Sequence, residues 1–133
     1  MPRLRNRLYA MRQVGMAGYP IGLTFAPILN LPDWREVYDS LLAECATALE
    51  AVPDPDLTVE LIIDRFVEGS RQVLQGCYPG SRLEMDPQQW SRKLTKFGSA
   101  KYVFPKAMMA ELRTSLDASA ARHLARARLL YFT

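Results

Sequence analysis

Side chains that carry chemistry are scarce in this chain. It has one histidine, His123, and two cysteines, Cys45 and Cys77, among 133 residues. The cysteines lie far apart, with no CxxC and no histidine at metal-ligand spacing, so no zinc site is readable. Each falls in an apolar helical pattern, which predicts buried free thiols. His123 sits among alanines and arginines with no carboxylate or cysteine near it in sequence, and reads as a surface or packing residue. There is no serine–histidine or cysteine–histidine constellation. Long apolar runs are absent too, which excludes a membrane span. The basic N-terminus, MPRLRNRLYAMRQVG, lacks the apolar stretch of a signal peptide. A soluble, cytoplasmic chain of about one domain is the expectation.

Acids are missing from some stretches and crowded in others. Residues 1–32 hold Arg3, Arg5, Arg7 and Arg12 and no acid, whereas residues 33–64 hold nine acids against Arg35 alone. From Ser91 onward nine Lys or Arg face only Glu111 and Asp117. The formal net charge of +3 hides this asymmetry. Solvated charge runs explain most such blocks, but a basic C-terminal third is also where an anionic polymer docks.

The apolar pattern gives an alternating order of elements. Leu4, Leu8, Met11 and Val14 recur at helical spacing, with Gly15 and Gly18 as stops. IGLTFAPI, residues 21–28, is a near-continuous apolar run and predicts a strand buried on both faces. Gly15, Gly18 and Gly22 do not form GxGxxG and lie in helix-to-strand order, so no nucleotide loop is inferred. Asp33 and Glu36 resemble a capping box. After them Trp34, Val37, Tyr38, Leu41, Leu42, Cys45 and Leu49 line one face of a long helix, which Pro53 and Pro55 end. LTVELII, residues 57–63, alternates as a strand. A third helix carries Val67, Val73, Leu74 and Cys77 and stops at Tyr78-Pro79-Gly80. This α-β-α-β-α order predicts a parallel sheet with crossover helices, too small to stand alone.

The most distinctive stretch is WSRKLTKFGSAKYVF, residues 90–104. It alternates bulky and basic residues and turns at Gly98, as a two-stranded ribbon does. Lys93, Lys96 and Lys101 offer ammonium groups, and Trp90, Phe97, Tyr102 and Phe104 offer rings. Such a ribbon suits a nucleic-acid groove, with cations on phosphates and rings against bases. An edge hairpin whose lysines discourage sheet pairing has the same composition. A helix over about 105–125 follows, with Met108, Leu112, Leu116 and Leu124 inward, and RARLLYFT reads as a last strand.

Four stretches together resemble the C-terminal part of the spore photoproduct lyase family, radical S-adenosylmethionine enzymes of DNA repair. They are AGYPIGLTFAPI (17–28), VELIIDRF with YPGSRLEMD (59–66 and 78–86), RKLTKFGSAKYVF (92–104) and the terminal YFT. The resemblance implies an α/β fold: the last units of a partial (β/α) barrel over 1–80, then a DNA-contacting hairpin, helix and final strand over 81–133. The family uses a [4Fe-4S] cluster and S-adenosylmethionine to revert 5-thyminyl-5,6-dihydrothymine in DNA to two thymines by a radical route. Its partner would be double-stranded DNA holding a thymine photodimer, bound by a full-length monomer. The family's CxxxCxxC cluster motif and its hydrogen-returning cysteine lie earlier in the full protein, and neither Cys45 nor Cys77 matches them. By resemblance this chain is about the last two-fifths of such an enzyme and inactive by itself.

Site residues carry over by position. Ala26, before Pro27, matches the strand end whose backbone meets S-adenosylmethionine. Lys96, Phe97 and Lys101, followed by Tyr102, occupy the positions of the ribbon that enters the minor groove beside the lesion. Lysine replaces arginine at 96, keeping charge but losing the planar fork. Phenylalanine replaces tyrosine at 97, Leu94 stands for a tryptophan, and Thr95 and Ala100 stand for glycines. Arg65-Phe66 matches as well, with a salt bridge from Arg65 to Asp64 or Glu60 as the simpler expectation. Two functional readings follow: a radical lyase portion, or a stand-alone small basic DNA-binding protein without catalysis.

Overall fold

The computed structural model describes residues 2–133. The fold is mixed α/β, in two compact units, one formed by residues up to Ile63 together with Arg113–Thr133, the other by Asp64–Leu112.

In the first unit, helix α1 (Leu4–Met16) leads to strand β1 (Ile21–Ile28), helix α2 (Trp34–Leu49) and strand β2 (Leu57–Ile63). The C-terminal half of α4 (Lys106–His123) and the last strand, β6 (Arg128–Phe132), complete it. The sheet is three-stranded and wholly parallel, with β2 between β1 and β6. The central position explains the clean alternation of β2: Leu57, Val59, Leu61 and Ile63 are buried, Thr58, Glu60 and Ile62 only partly. The ladder runs on past β6, because Thr133 donates its N–H to the Leu61 carbonyl at 3.1 Å and accepts from Ile63 at 2.6 Å.

Helix α2 buries Trp34, Tyr38, Leu42, Cys45 and Leu49, a stripe at helical spacing. The Tyr38 hydroxyl accepts the Leu29 N–H at 2.7 Å and so ties the end of β1 to this helix. The expected capping box does not form, since the Asp33 side chain makes no capping hydrogen bond. Gly18, at φ +83°, ends α1, but Gly15 is not a stop. It lies inside the helix, where an added Cβ would come 2.8 Å from Ile21 Cδ1 and 3.0 Å from Val52 Cγ1. Its role is close packing.

Strand β1 departs from the sequence expectation. Only Ile21 and Ile28 are buried, and the residues between are half-buried or exposed. Among the described residues β1 pairs on one edge alone, with β2, and an open groove of about 500 Å³ lies between it, α1 and α2. Met11, Val14, Leu23, Phe25 and Leu41 line that groove, which is why an apolar run is left without cover.

The second unit holds strand β3 (Arg65–Phe66), helix α3 (Glu68–Cys77), a 3-10 turn at Pro87–Gln89, strands β4 (Ser91–Leu94) and β5 (Ala100–Val103), and the start of α4. Its antiparallel sheet has the order β3-β5-β4. The two-residue β3 carries no periodic signal and was not expected. Phe66, Trp90 and Phe104 form a buried aromatic core, with Phe66 edge-on to Trp90 at 4.8 Å and Trp90 against Phe104 at 4.3 Å, and Met85 is buried as well. Helix α3 buries none of its residues. Cys77 is therefore exposed, against expectation, whereas Cys45 is buried.

Candidate nucleic-acid interface

The ribbon forms as its sequence predicts, and its tip is tightly built. Thr95 donates its N–H to the Ser99 carbonyl at 2.7 Å, and Gly98 donates to the Thr95 carbonyl at 3.0 Å. The Thr95 and Ser99 hydroxyls meet at 2.6 Å. Gly98 sits at φ +82°, the left-handed position that such a turn demands and glycine fills without strain. This closure pushes Lys96 and Phe97 outward. Lys96 is exposed and Phe97 is 92% exposed, a large cost in apolar surface for a residue with only structural duties.

The other candidate residues are placed differently. Lys101 is half-buried on β5 and stands directly opposite Lys93. Tyr102 is half-buried, its ring stacked on Phe66 at 5.0 Å. Trp90 and Phe104 belong to the buried core, so two of the four rings credited to the ribbon are withdrawn from any ligand. Bulky residues at a ribbon's base pack inward, and only those at its tip are left outside. Arg65 makes no salt bridge with Asp64 or Glu60: its backbone N–H donates to Asp64 Oδ1 at 2.9 Å and its side chain is exposed. Burial pushes the Asp64 carboxyl above its ordinary range, and that backbone bond only partly offsets it. Glu60 accepts a long bond from Thr24 Oγ1 at 3.4 Å, a structural role.

Ala26 is exposed near the end of β1, between Phe25 and Ile28, where the register with β2 shifts. It lies on the rim of the open groove.

The basic C-terminal third proves to be two populations. Arg122 reaches Asp39 at 3.0 Å, Arg126 reaches Asp54 at 3.2 Å, Arg128 reaches Asp56 at 2.7 Å, and Arg113 reaches Asp117 at 3.5 Å. The acids of residues 33–64 thus answer three arginines of the chain's end. By contrast Arg92, Lys93, Lys96 and Lys101 have no acidic partner among the described residues. The unit that carries them holds the whole formal excess of +3, with eight Lys or Arg against five acids.

One polar cluster escaped the sequence reading. Asp39 Oδ1 accepts from Ser119 Oγ at 2.5 Å and from Arg122 at 3.0 Å, and His123 Nε2 lies 3.0 Å away. The Ser119 bond, with smaller contributions from His123 and Arg122, holds the Asp39 carboxyl below its ordinary range. Serine and histidine both address the same carboxylate oxygen and do not form a relay, so the cluster clamps α4 to α2 and is no hydrolase triad. His123 does have a carboxylate partner, 84 residues away.

Among the described residues no group of three or more His, Cys, Asp and Glu could hold a metal ion. No helix there is long and apolar enough to cross a membrane.

Comparison with known proteins settles the family. The sequence model described as "Spore photoproduct lyase" matches residues 1–133. The chain belongs to that family. It is 36% identical over 127 residues to spore photoproduct lyase of Geobacillus sp. (strain Y412MC61), covering 96% of this chain and 37% of that protein. Against the Bacillus subtilis (strain 168) lyase it is 33% identical over 130 residues, covering 98% of this chain and 38% of that one. The chain thus spans less than two-fifths of the length of these curated relatives and corresponds to the family's C-terminal portion. A solved spore photoproduct lyase double mutant with bound AdoMet and dinucleoside spore photoproduct superposes with a TM-score of 0.94 at 33% identity, over 100% of this chain and 39% of that one. A spore photoproduct lyase complexed with dinucleoside spore photoproduct gives a TM-score of 0.92 at 31% identity, over 99% and 39%.

Proposed function

We propose that this chain is the DNA-contacting, C-terminal portion of a spore photoproduct lyase-like radical S-adenosylmethionine enzyme, acting in the cytoplasm on 5-thyminyl-5,6-dihydrothymine in double-stranded DNA. The reaction would be direct reversal to two thymines. The parallel-sheet unit, residues up to Ile63 with Arg113–Thr133, supplies the last units of a partial barrel, and Asp64–Leu112 hold the DNA-side ribbon, a division that replaces the boundary expected near residue 80. The observation that carries the reading is the ribbon tip: an exposed Phe97 beside an unpaired Lys96, with Lys101 behind it, in a chain matched by the family along its whole length.

In this reading Phe97 wedges against bases at the lesion, and Lys96 and Lys101 hold phosphates on either side. Tyr102 buttresses the ribbon through its stack on Phe66 and presents its remaining edge to the DNA. Ala26 offers its backbone to S-adenosylmethionine, the group that supplies the hydrogen-abstracting radical when bound. The described residues do not fit an iron–sulfur cluster: Cys45 is buried, Cys77 is exposed on a helix of the other unit, and no metal-binding group of side chains is present. No step through a cluster is assigned to this chain, and catalysis requires the CxxxCxxC-bearing portion of the family.

The test has two arms. Replacing both Lys96 and Lys101 by alanine should weaken binding to a photoproduct-containing duplex about a hundredfold, at about 1.5 kcal/mol per charge-assisted contact and 1.4 kcal/mol per tenfold. Unchanged affinity removes the DNA reading. Supplying a separately expressed CxxxCxxC-bearing portion of the family should restore thymine release from the lesion. Tight DNA binding without such restoration selects the stand-alone, non-catalytic DNA-binding protein instead.

A further inference from the structure

The two faces of the ribbon differ in kind. Successive strand residues point to opposite sides. Lys93 and Lys101, opposite each other in register, therefore share one face, and Arg65, beside Val103 in the β3–β5 register, lies on it too. Tyr102 and Phe66, opposite each other in that ladder, share the other face. That second face is closed for most of its length by the unit's own aromatic cluster, since Phe66 is buried and packs on both Tyr102 and Trp90. It opens along β4, where Arg92, opposite Tyr102, is exposed and Leu94, three residues before Phe97, is 66% exposed. The first face holds three cations and no acid. Like charges directly opposite destabilise an antiparallel pair. Neither Lys93 nor Lys101 has an acidic partner among the described residues to relieve the repulsion.

We infer that the ribbon divides its DNA contacts between its two faces: Lys93 joins Lys101 in holding backbone phosphates on the cationic face, and Leu94, at the open end of the other, is a second apolar wedge beside Phe97. The inference rests on the proposal that this ribbon binds DNA, and adds what each of its faces contributes. A polyanion resolves the Lys93–Lys101 repulsion, because its phosphates lie between and around the two ammonium groups. Leucine is among the side chains that proteins insert between base steps. Toward the ribbon's base that face is filled by Phe66 and Trp90, which leaves its open end at Leu94 for a base.

The two roles separate experimentally. Phosphate contacts set the dependence of affinity on salt, whereas a wedge changes base stacking. The 133-residue chain is titrated against a duplex with 2-aminopurine next to a thymine pair, across a salt series. Lys93→Gln should lower the slope of log K against log salt by about 0.9, one phosphate's worth, and Lys93→Arg should restore it. Leu94→Ser should leave the slope unchanged and reduce the fluorescence rise that reports unstacking, with Leu94→Phe restoring it. A wild-type slope in Lys93→Gln overturns the cationic face. A wild-type fluorescence rise in Leu94→Ser overturns the second wedge. A wild-type chain that binds no duplex at any salt overturns the DNA reading itself, a result distinct from either.

Discussion

The parallel-sheet unit and the ribbon unit use the same residue types to opposite ends. In the first, the arginines of the chain's end are matched with distant aspartates, Arg128 with Asp56 and Arg126 with Asp54, and apolar side chains fill a strand-and-helix core around β2. In the second, the ribbon's four cations have no acid, α3 buries none of its side chains, and a phenylalanine is held in solvent. A charge already answered inside the fold contributes to shape. A charge left unanswered, on a rigid turn beside an exposed ring, is available to a ligand. Charge counting along the sequence could not distinguish these two uses.

The sharpest break of this comparison is in the cysteines. Burial, reinforced by neighbouring Glu44 and only partly opposed by Arg7, raises the Cys45 thiol to about 11, whereas Cys77 lies exposed on α3. The thiolate is the reactive form. In the native chain at pH 8 a thiol reagent should therefore modify Cys77 at least about a thousandfold faster than Cys45, which reacts only through opening of the fold. Mass spectrometry of the labelled peptides measures the ratio. Equal rates would mean that α2 is not packed as described.

Next in size is the contrast in core packing. Leu61, on central β2, is 1% exposed, and Leu61→Ala should cost about 3 kcal/mol in urea unfolding. Val73, on bare α3, is 63% exposed, and Val73→Ala should change stability by less than about 0.5 kcal/mol. A cost at Val73 comparable to that at Leu61 would show that α3 has a packed face after all.

Much of this architecture was legible in the sequence, and the parts that were not share a cause. Strand β2 was readable because a central strand with one deeply buried face must alternate, and Leu57 to Ile63 does. The hairpin was readable because Gly98 supplies a positive φ between two alternating runs. The helical stripe of α2 was equally plain. What failed depended on a distant partner. Strand β1 looks like a strand buried on both faces, but its burial depends on what lies along its free edge. Cys77 follows an apolar pattern that finds nothing to pack against. Trp90 and Phe104 could not be divided from Phe97 by type, only by their distance from the tip. His123 appeared isolated because its carboxylate is on another helix. At the candidate interface the position of Lys96 and Phe97 was therefore foreseeable from the turn, whereas the withdrawal of the other rings was not.

The smallest effect tests the clamp that holds α4 to α2, on the side where charges are answered. Asp39 receives Ser119, Arg122 and His123 on one oxygen, and Ser119 contributes most to lowering its pKa below the ordinary 3.8. A carboxylate depressed in the folded state stabilises the fold above its unfolded pKa, and this is lost as pH falls through the folded one. Thermal melts from pH 7 to pH 2 should therefore show wild type losing an increment that Asp39→Asn lacks at every pH, with the two curves converging in acid. Ser119→Ala should remove the larger share of that increment and Arg122→Ala the smaller, because the arginine is well exposed and screened by solvent. Parallel melting curves for wild type and Asp39→Asn would leave the cluster as a surface hydrogen-bond network without influence on the fold. Convergence combined with unaltered DNA affinity would instead establish that the paired and unpaired charges serve separate purposes in this chain.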